Sequence, residues 1–148
     1  MGIRAVRLAD VSVLIYAHRA ESPDHEAYAR WLEDLVGADE PFGFSELGAS
    51  GFVRIVTNPR VFTEPTPIAM ALEFVDEVHA RPNCVRLRPG PDHWTIFGRL
   101  CRATRARGKL VADAYHAALA IEHGCELVTT DGDFARFTGL RWSHPLRA

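Results

Sequence analysis

Short apolar runs alternate along this chain with longer stretches in which apolar residues recur at helical spacing. The short runs predict β-strands over residues 4–9, 41–44, 85–87, 127–130 and 140–142. The periodic stretches predict helices from residue 12 and over residues 24–36, 45–56, 67–78, 92–106 and 110–123, with a helical turn at 134–137. Because strands and helices alternate, we expect an α/β fold with a mainly parallel sheet.

Length and composition predict a single domain spanning residues 1–148. A chain of 148 residues is near the commonest domain size, and its hydrophobic fraction of 47% is enough to fill one core. Segment 57–67 is the one linker-like stretch, but it is short and contains Val61 and Phe62. We therefore expect no domain boundary within it.

Charge and cysteine content limit the possible partners and locations. The net charge is −2 at pH 7, so a nucleic-acid site must be local. The three cysteines lack C-x-x-C spacing, which argues against a disulfide framework and a zinc site and favours a reducing compartment. No apolar run approaches the ~18 residues of a membrane span, and the apolar stretch before Asp10 is too short for a signal peptide. We expect a cytoplasmic protein with no membrane contact.

Four acidic residues are placed where they can share one pocket. Asp10, Glu46 and Asp131 each follow a predicted strand, and Asp113 lies in the otherwise apolar helical stretch 111–121. The carboxyl ends of parallel strands face a common crevice, so we expect these side chains to converge. Oxygen ligands of this kind suit Mg²⁺, with Mn²⁺ as the alternative.

Electrostatics gives the same expectation. Two carboxylates ~5 Å apart repel each other by roughly 3 kcal/mol at an effective dielectric constant of 20, so four of them need a cation or a proton. A divalent ion bound by such a cluster can activate water and stabilise the leaving oxygen in phosphodiester hydrolysis. The sequence therefore predicts a metal-dependent phosphodiesterase.

Several segments resemble the acidic motifs of one family. They are residues 10–16, Glu46 in its strand-to-helix turn, residues 111–120 and residues 129–134. These segments are similar to the motifs of PIN-domain ribonucleases, in particular the VapC-type toxins of bacterial toxin–antitoxin systems. The resemblance implies a three-layer α/β/α fold and an endoribonuclease that leaves 5′-phosphate and 3′-hydroxyl ends. It also implies inhibition by a small VapB-like antitoxin whose C-terminal segment directs a basic side chain into the pocket.

The resemblance also assigns residues to the site. It implies that the catalytic and metal-binding acids are Asp10, Glu46, Asp113 and Asp131, with Asp133 as an additional or alternative metal ligand. Ser12 stands where many members of the family have asparagine, and its hydroxyl can still hold a carboxylate or a metal-bound water. Residues 109–112 also differ from the pattern common before the third acid, which affects the local loop more than the chemistry.

Each of these residues also has an ordinary structural role open to it. Asp10, Asp131 and Ser12 are good helix N-caps, and Glu46 suits a first helical turn. His116 follows Asp113 by three residues and is expected to be a partly buried structural histidine. Trp94 and Trp142, with Tyr115, are expected in the core or an interface rather than stacked on bases.

A row of basic residues gives a possible RNA contact. The spacing of Arg99, Arg102 and Arg105 places them on one side of the predicted helix, with Lys109 following, which suits contacts to RNA phosphates. A solvated basic face is the alternative interpretation.

Two other functions and one oligomeric state remain open. A phosphotransfer or receiver-like domain also places aspartates at strand ends, although the chain lacks Asp-x-Asp after the first strand and has no nucleotide-binding glycine motif. A non-catalytic protein with a PIN fold is the other alternative. The apolar concentration of Phe52, Ile55, Val61 and Phe62 predicts a homodimer.

Overall fold

A computed structural model describes residues 5–147 and contains a five-stranded sheet. The strands are β1 (Arg7–Ala9), β2 (Phe42–Ser45), β3 (Cys84–Leu87), β4 (Glu126–Val128) and β5 (Arg141–Ser143). Their order is β3-β2-β1-β4-β5, and all pairings are parallel. The expected α/β fold is confirmed. The strand predicted over residues 4–9 begins at Arg7, and its first residue lies outside the described part of the chain.

The helices follow the predicted order. They are α1 (Val11–His18), α2 (His25–Gly37), α3 (Glu46–Val56), α4 (Ile68–His79), α5 (His93–Thr104) and α6 (Lys109–Glu122), with a short 3₁₀ helix at Gly132–Arg136. Most ends agree with the prediction within two residues. The difference that matters is the end of α5 at Thr104, two residues before the predicted end, because Arg105 is then not part of the predicted helical row.

Consecutive residues of the central strand face two separate cores. Leu8 packs into a core with α6 and Leu127, whereas Ala9 packs into the core formed by α1 to α4. Side chains alternate between the faces of a strand, so this division places helices on both sides of the sheet. The three-layer α/β/α arrangement is therefore confirmed.

A close contact fixes the β2–β3 edge of the sheet. Gly43 pairs with Val85, and a Cβ atom at Gly43 would lie 2.6 Å from Cδ1 of Leu87. A side chain at this position would force Leu87, which fills the core on that face, to shift. The β2 strand is thereby held against its neighbour just before Ser45 and Glu46.

One prediction about an apolar side chain is wrong. Phe52 is 0% exposed and packs with Phe74 in the core, so it cannot contact a second copy of the chain. Trp94 is 72% exposed, so it is not part of the core, and its place in an interface stays a prediction. Within residues 5–147, no helix is long and apolar enough to cross a membrane.

Candidate functional site

Asp10 lies at the carboxyl end of β1, where the chain enters α1. Its backbone has an extended conformation at the N-cap of the helix, yet its side chain makes no capping hydrogen bond. Instead, its Oδ2 accepts a hydrogen bond of 2.7 Å from the hydroxyl of Thr129. The capping interpretation of the Asp10 carboxylate is therefore wrong, and the buried carboxylate faces the end of β4.

Thr129 connects two of the acidic residues. It is 0% exposed and directly follows β4, and its hydroxyl also accepts a hydrogen bond of 3.0 Å from the backbone N–H of Asp131. The Thr129 hydroxyl thus donates its proton to Asp10 and accepts a hydrogen bond from the Asp131 amide through an oxygen lone pair. Sequence reasoning missed this residue, although a hydroxyl that ends a buried strand needs a partner.

Asp131 has a structural role and a place in the pocket at the same time. Its Oδ1 caps the 3₁₀ helix by accepting from the backbone N–H of Asp133 at 2.9 Å. Its Oδ2 receives the ammonium of Lys109 at 3.0 Å. Although burial opposes the charge, the Asp133 N–H and Lys109 hold the pKa of Asp131 below its ordinary value.

Lys109 also bonds the third aspartate. It begins α6, and its Nζ lies 3.0 Å from Oδ2 of Asp113, one helical turn further on. Burial raises the pKa of Asp113 above its ordinary value, with Lys109 opposing the rise and Asp10 and Asp131 adding to it. Burial would lower the pKa of Lys109, but its hydrogen bonds to Asp113 and Asp131 raise it. The ammonium is therefore a charged bridge between two carboxylates.

His116 lies beneath this arrangement, one turn after Asp113. It is buried, and its Nδ1 is 3.9 Å from Oδ1 of Asp10. Burial lowers its pKa despite the two neighbouring carboxylates, so the ring is neutral at pH 7. Its Nε2 is buried without a hydrogen-bond partner among the described residues. His116, expected to be partly buried, is thus more deeply buried than predicted.

These side chains share a pocket of about 910 Å³. The acids on its wall are Asp10, Asp113 and Asp131. Ser12 also lines it and accepts a hydrogen bond of 3.4 Å from the Thr130 backbone. The remaining wall is largely apolar and includes Val11, Ile15, Tyr16, Leu47 and Ile55, with the exposed Arg54 at its edge. The pocket therefore combines a polar floor with apolar sides.

Two of the predicted acids point elsewhere. Glu46 begins α3 with its side chain 65% exposed and its Oε1 3.3 Å from Arg88. Asp133 is exposed and does not line the pocket. The structure thus brings together three of the five proposed metal ligands.

The basic residues are dispersed in a similar way. Arg99 donates a hydrogen bond of 3.4 Å to the carbonyl of Thr138, and the guanidinium of Arg102 lies against Gly98 of its own helix. Arg105 lies beyond the end of α5, and Lys109 bonds the acids. The four side chains do not form one helical row.

The donors of the pocket fit a hard cation. Among residues 5–147, no three His, Cys, Asp or Glu side chains are arranged to hold a metal ion together in their present positions. However, the Lys109 ammonium already lies between oxygens of Asp113 and Asp131, which shows that this place favours positive charge. Asp10, Asp113 and Asp131 supply only oxygen, the donor that Mg²⁺ and Mn²⁺ prefer.

Comparisons with known proteins agree with this geometry. Residues 7–140 match the family model described as PIN domain. The chain is 47% identical to Ribonuclease VapC43 of Mycobacterium tuberculosis over 93% of each protein. It is 41% identical to Ribonuclease VapC25 of the same species, over 93% of this chain and 97% of that protein. A chain in the crystal structure of VapBC2 from Rickettsia felis, bound to a DNA fragment from its promoter, superposes with a TM-score of 0.68 at 16% identity, covering 94% of this chain and 98% of that one.

The two hydrogen bonds of Thr129 predict an asymmetry between two substitutions. Thr129→Val preserves shape but leaves the Asp10 carboxylate and the Asp131 N–H without this partner, so we expect it to lower the free energy of unfolding by about 2–3 kcal/mol. Thr129→Ser keeps the hydroxyl and should cost only about 1 kcal/mol through the missing methyl group. Urea denaturation in EDTA measures both, and a serine variant less stable than the valine variant would contradict the bridging role.

The Lys109 bridge predicts competition with metal ions. Lys109→Met removes the ammonium from between Asp113 and Asp131, so we expect Mn²⁺ to bind the free protein several-fold more tightly than in wild type. The same variant should have a lower Tm in EDTA and a larger rise in Tm on adding Mn²⁺. Calorimetric titration and thermal melts measure these effects.

Lys109→Arg is the matched control because it retains the positive charge. It should bind Mn²⁺ more like wild type than the methionine variant does. Weaker Mn²⁺ binding by Lys109→Met would show that the lysine supports the ion rather than competing with it.

Proposed function

The chain belongs to the PIN-domain family and, within it, to the VapC ribonucleases. On that premise, we propose that it is an endoribonuclease toxin inhibited by a cognate antitoxin. It hydrolyses RNA phosphodiester bonds with Mg²⁺, or alternatively Mn²⁺, in the carboxylate pocket. The observation that carries the proposal is the convergence of Asp10, Asp113 and Asp131 from three separate elements on one pocket, where Lys109 bridges two of them.

The proposal assigns roles to the acids. Asp10, Asp113 and Asp131 hold the metal ion, and we assign the exposed Glu46 and Asp133 as further ligands on the family resemblance. When bound, the metal ion supplies an activated water and charge neutralisation at the phosphate. Ser12 orients a carboxylate or a bound water from the pocket wall.

The surrounding residues prepare this site. The Thr129 hydroxyl holds Asp10 in one orientation, so less ordering is needed when a cation enters. His116 fills the space behind Asp10 as a neutral ring and contributes no charge. The apolar sides of the pocket exclude water from the reacting phosphate.

RNA contacts outside the pocket remain part of the proposal. We assign Arg99, Arg102, Arg105 and Lys109 to the phosphate backbone of the substrate. For Lys109 this role requires the side chain to leave Asp113 and Asp131, which it can do because it is 73% exposed.

The alternatives have less support. The family match covers most of the chain and is to ribonucleases rather than to receiver domains, which argues against phosphotransfer. A non-catalytic role is disfavoured because acids stand at all four family positions.

We further propose that residues 1–148 form one domain. We also propose that it acts in the cytoplasm, because RNA is present there and the reducing conditions keep its cysteines free. A homodimer remains a proposal, with Val61 and the partly buried Ile55 and Phe62 as its apolar contacts. Phe52 has no part in it because it is buried.

The pocket also suits an inhibitory segment. One ammonium and one exposed guanidinium face three carboxylates there, so negative charge is in excess and attracts a further guanidinium. Leu47 and Ile55 line the same pocket and offer apolar contacts to the flanking residues of a peptide. We propose that the antitoxin places a basic side chain at Asp10 and Asp113, directed also toward Glu46, and orders as it binds.

Cleavage tests the carboxylate assignment. Asp113→Asn keeps the size of the side chain but removes a charge from the pocket, so we expect RNA cleavage in Mg²⁺ or Mn²⁺ to fall by ~100-fold or more. Asp34→Asn on the exposed face of α2 is the matched control and should cleave like wild type. Glu46→Gln, assayed in parallel, shows whether the exposed Glu46 joins the site. Full activity of the Asp113 variant would overturn the proposal.

Antitoxin binding tests the apolar wall. Leu47→Ser should weaken capture of the co-expressed antitoxin, because it removes an apolar contact beside the acids. Leu146→Ser is the matched control, since Leu146 is 38% exposed against 41% for Leu47 but lies outside the pocket. Equal co-purification of antitoxin with both variants would contradict the proposed path of the segment.

A further inference from the structure

A second pocket lies beside the carboxylate site and has the opposite charge. Its wall is formed by Arg105, Arg107, Leu110 and Arg136, and it encloses about 540 Å³. The three arginines are exposed, and the side chain of none of them has a hydrogen-bond or ion-pair partner among residues 5–147. Three arginines with unpaired side chains therefore line one cavity, and none of its lining residues among residues 5–147 is acidic.

The two pockets share structural elements. Lys109 faces the acids and Leu110, the next residue in the first turn of α6, lines the arginine pocket. The 3₁₀ helix that Asp131 caps carries Phe134 on the acidic side and Arg136 on the basic side. The first turn of α6 and the 3₁₀ helix therefore form part of the wall of both pockets.

Arg105 occupies an unfavourable backbone position for its residue type. It has φ 53° and ψ 47°, which is the left-handed region that residues with a Cβ rarely adopt. The N–H of Arg105 donates a hydrogen bond to the carbonyl of Arg102, and the N–H of Ala106 donates one to the carbonyl of Cys101. These two bonds form a Schellman motif, in which Arg105 is the left-handed residue that ends the helix. Glycine is the usual residue there.

The same chain uses glycine at the equivalent position of another helix. At the end of α6, Gly124 has φ 65°, its N–H bonds the carbonyl of Ile121, and the N–H of Cys125 bonds that of Ala120. An arginine in this conformation at the end of α5 is thus not required by the turn. Strain of this kind points to a function of the side chain.

From these observations we propose that Arg105, Arg107 and Arg136 form a binding site for a backbone phosphate of single-stranded RNA, next to the phosphate that is cleaved. This proposal rests on the proposed function and adds a substrate subsite to it. Its physical reason is charge: the chain carries a net charge of −2 and its carboxylate pocket is acidic, so a polyanion needs local positive charge to stay bound. Arginine binds phosphate oxygens with two parallel hydrogen bonds and stays charged.

The test measures equilibrium binding of a short labelled single-stranded RNA of mixed sequence by fluorescence anisotropy. EDTA is present, so binding is read without metal-dependent cleavage. We expect Arg107→Ala/Arg136→Ala to weaken binding by at least ~10-fold, since hydrogen bonds to charged groups are strong. The slope of log affinity against log salt should flatten by about 0.7 for each RNA phosphate that the variant no longer neutralises.

The control has the same change in net charge at a different place. Arg30 and Arg81 are exposed on α2 and just before β3, and neither lines the arginine pocket. Arg30→Ala/Arg81→Ala should bind RNA within about twofold of wild type, because only diffuse attraction is reduced. Equal affinity and equal salt slope in the two double variants would overturn the proposal.

Arg105→Gly separates the side chain from the turn. Glycine suits the left-handed position, so the Tm should stay the same or rise, while RNA binding falls by roughly 10-fold. A variant with a raised Tm and unchanged RNA affinity would show that Arg105 has no part in the site.

Three further outcomes have fixed meanings. No measurable RNA binding by the wild-type protein at low salt would overturn the proposal. The proposal would also be overturned if Arg107→Ala/Arg136→Ala bound RNA normally but no longer bound the antitoxin. The pocket would then recognise an acidic peptide. RNA binding that depends on the arginines, together with no cleavage in Mg²⁺ or Mn²⁺, would support the phosphate site and refute the ribonuclease.

Discussion

The bridge from the Lys109 ammonium to Asp113 and Asp131 is the interaction on which the site depends. Three carboxylates from different elements share one pocket, and like charges at short range are tolerated only with a counter-charge. In the protein alone, the first residue of α6 provides it. The same bridge links the start of α6 to the segment after β4, so the positions of two catalytic candidates are set by one side chain.

Much of the fold and of the carboxylate pocket could be predicted from the sequence, because apolar residues recur at clear strand and helix periods. Asp10 and Asp131 follow buried strands, and parallel pairing forces such positions to one edge of the sheet. Asp113 was identifiable because a carboxylate in an apolar helix needs a partner. The fold and the convergence of these three acids follow from those signals, whereas the family was implied by the resemblance of residues 10–16, 111–120 and 129–134 to its motifs.

What the sequence could not show depends on side-chain direction and on single backbone angles. Glu46 has the correct position in the chain, but its side chain turns outward to Arg88, and nothing in the local pattern distinguishes the two rotamers. Phe52 has helical spacing with Ile55, yet it lies fully inside the core. The end of α5 at Thr104 was equally hidden, because Arg105 takes a conformation usual for glycine. Thr129 was overlooked because its role comes from a residue 119 positions away.

That separation has a consequence for how the protein is made. The central strand β1 pairs with β4, and Asp10 is held by Thr129. Residues near the start of the chain therefore cannot make these contacts until residues 126–129 have been synthesised. Contacts between residues so distant in sequence form slowly and only after most of the chain is available. During synthesis, which proceeds at roughly 5–20 residues per second, a nascent chain on the ribosome carries Asp10 for several seconds without its partners. The order of the strands therefore delays assembly of the carboxylate pocket until translation of the domain is nearly finished.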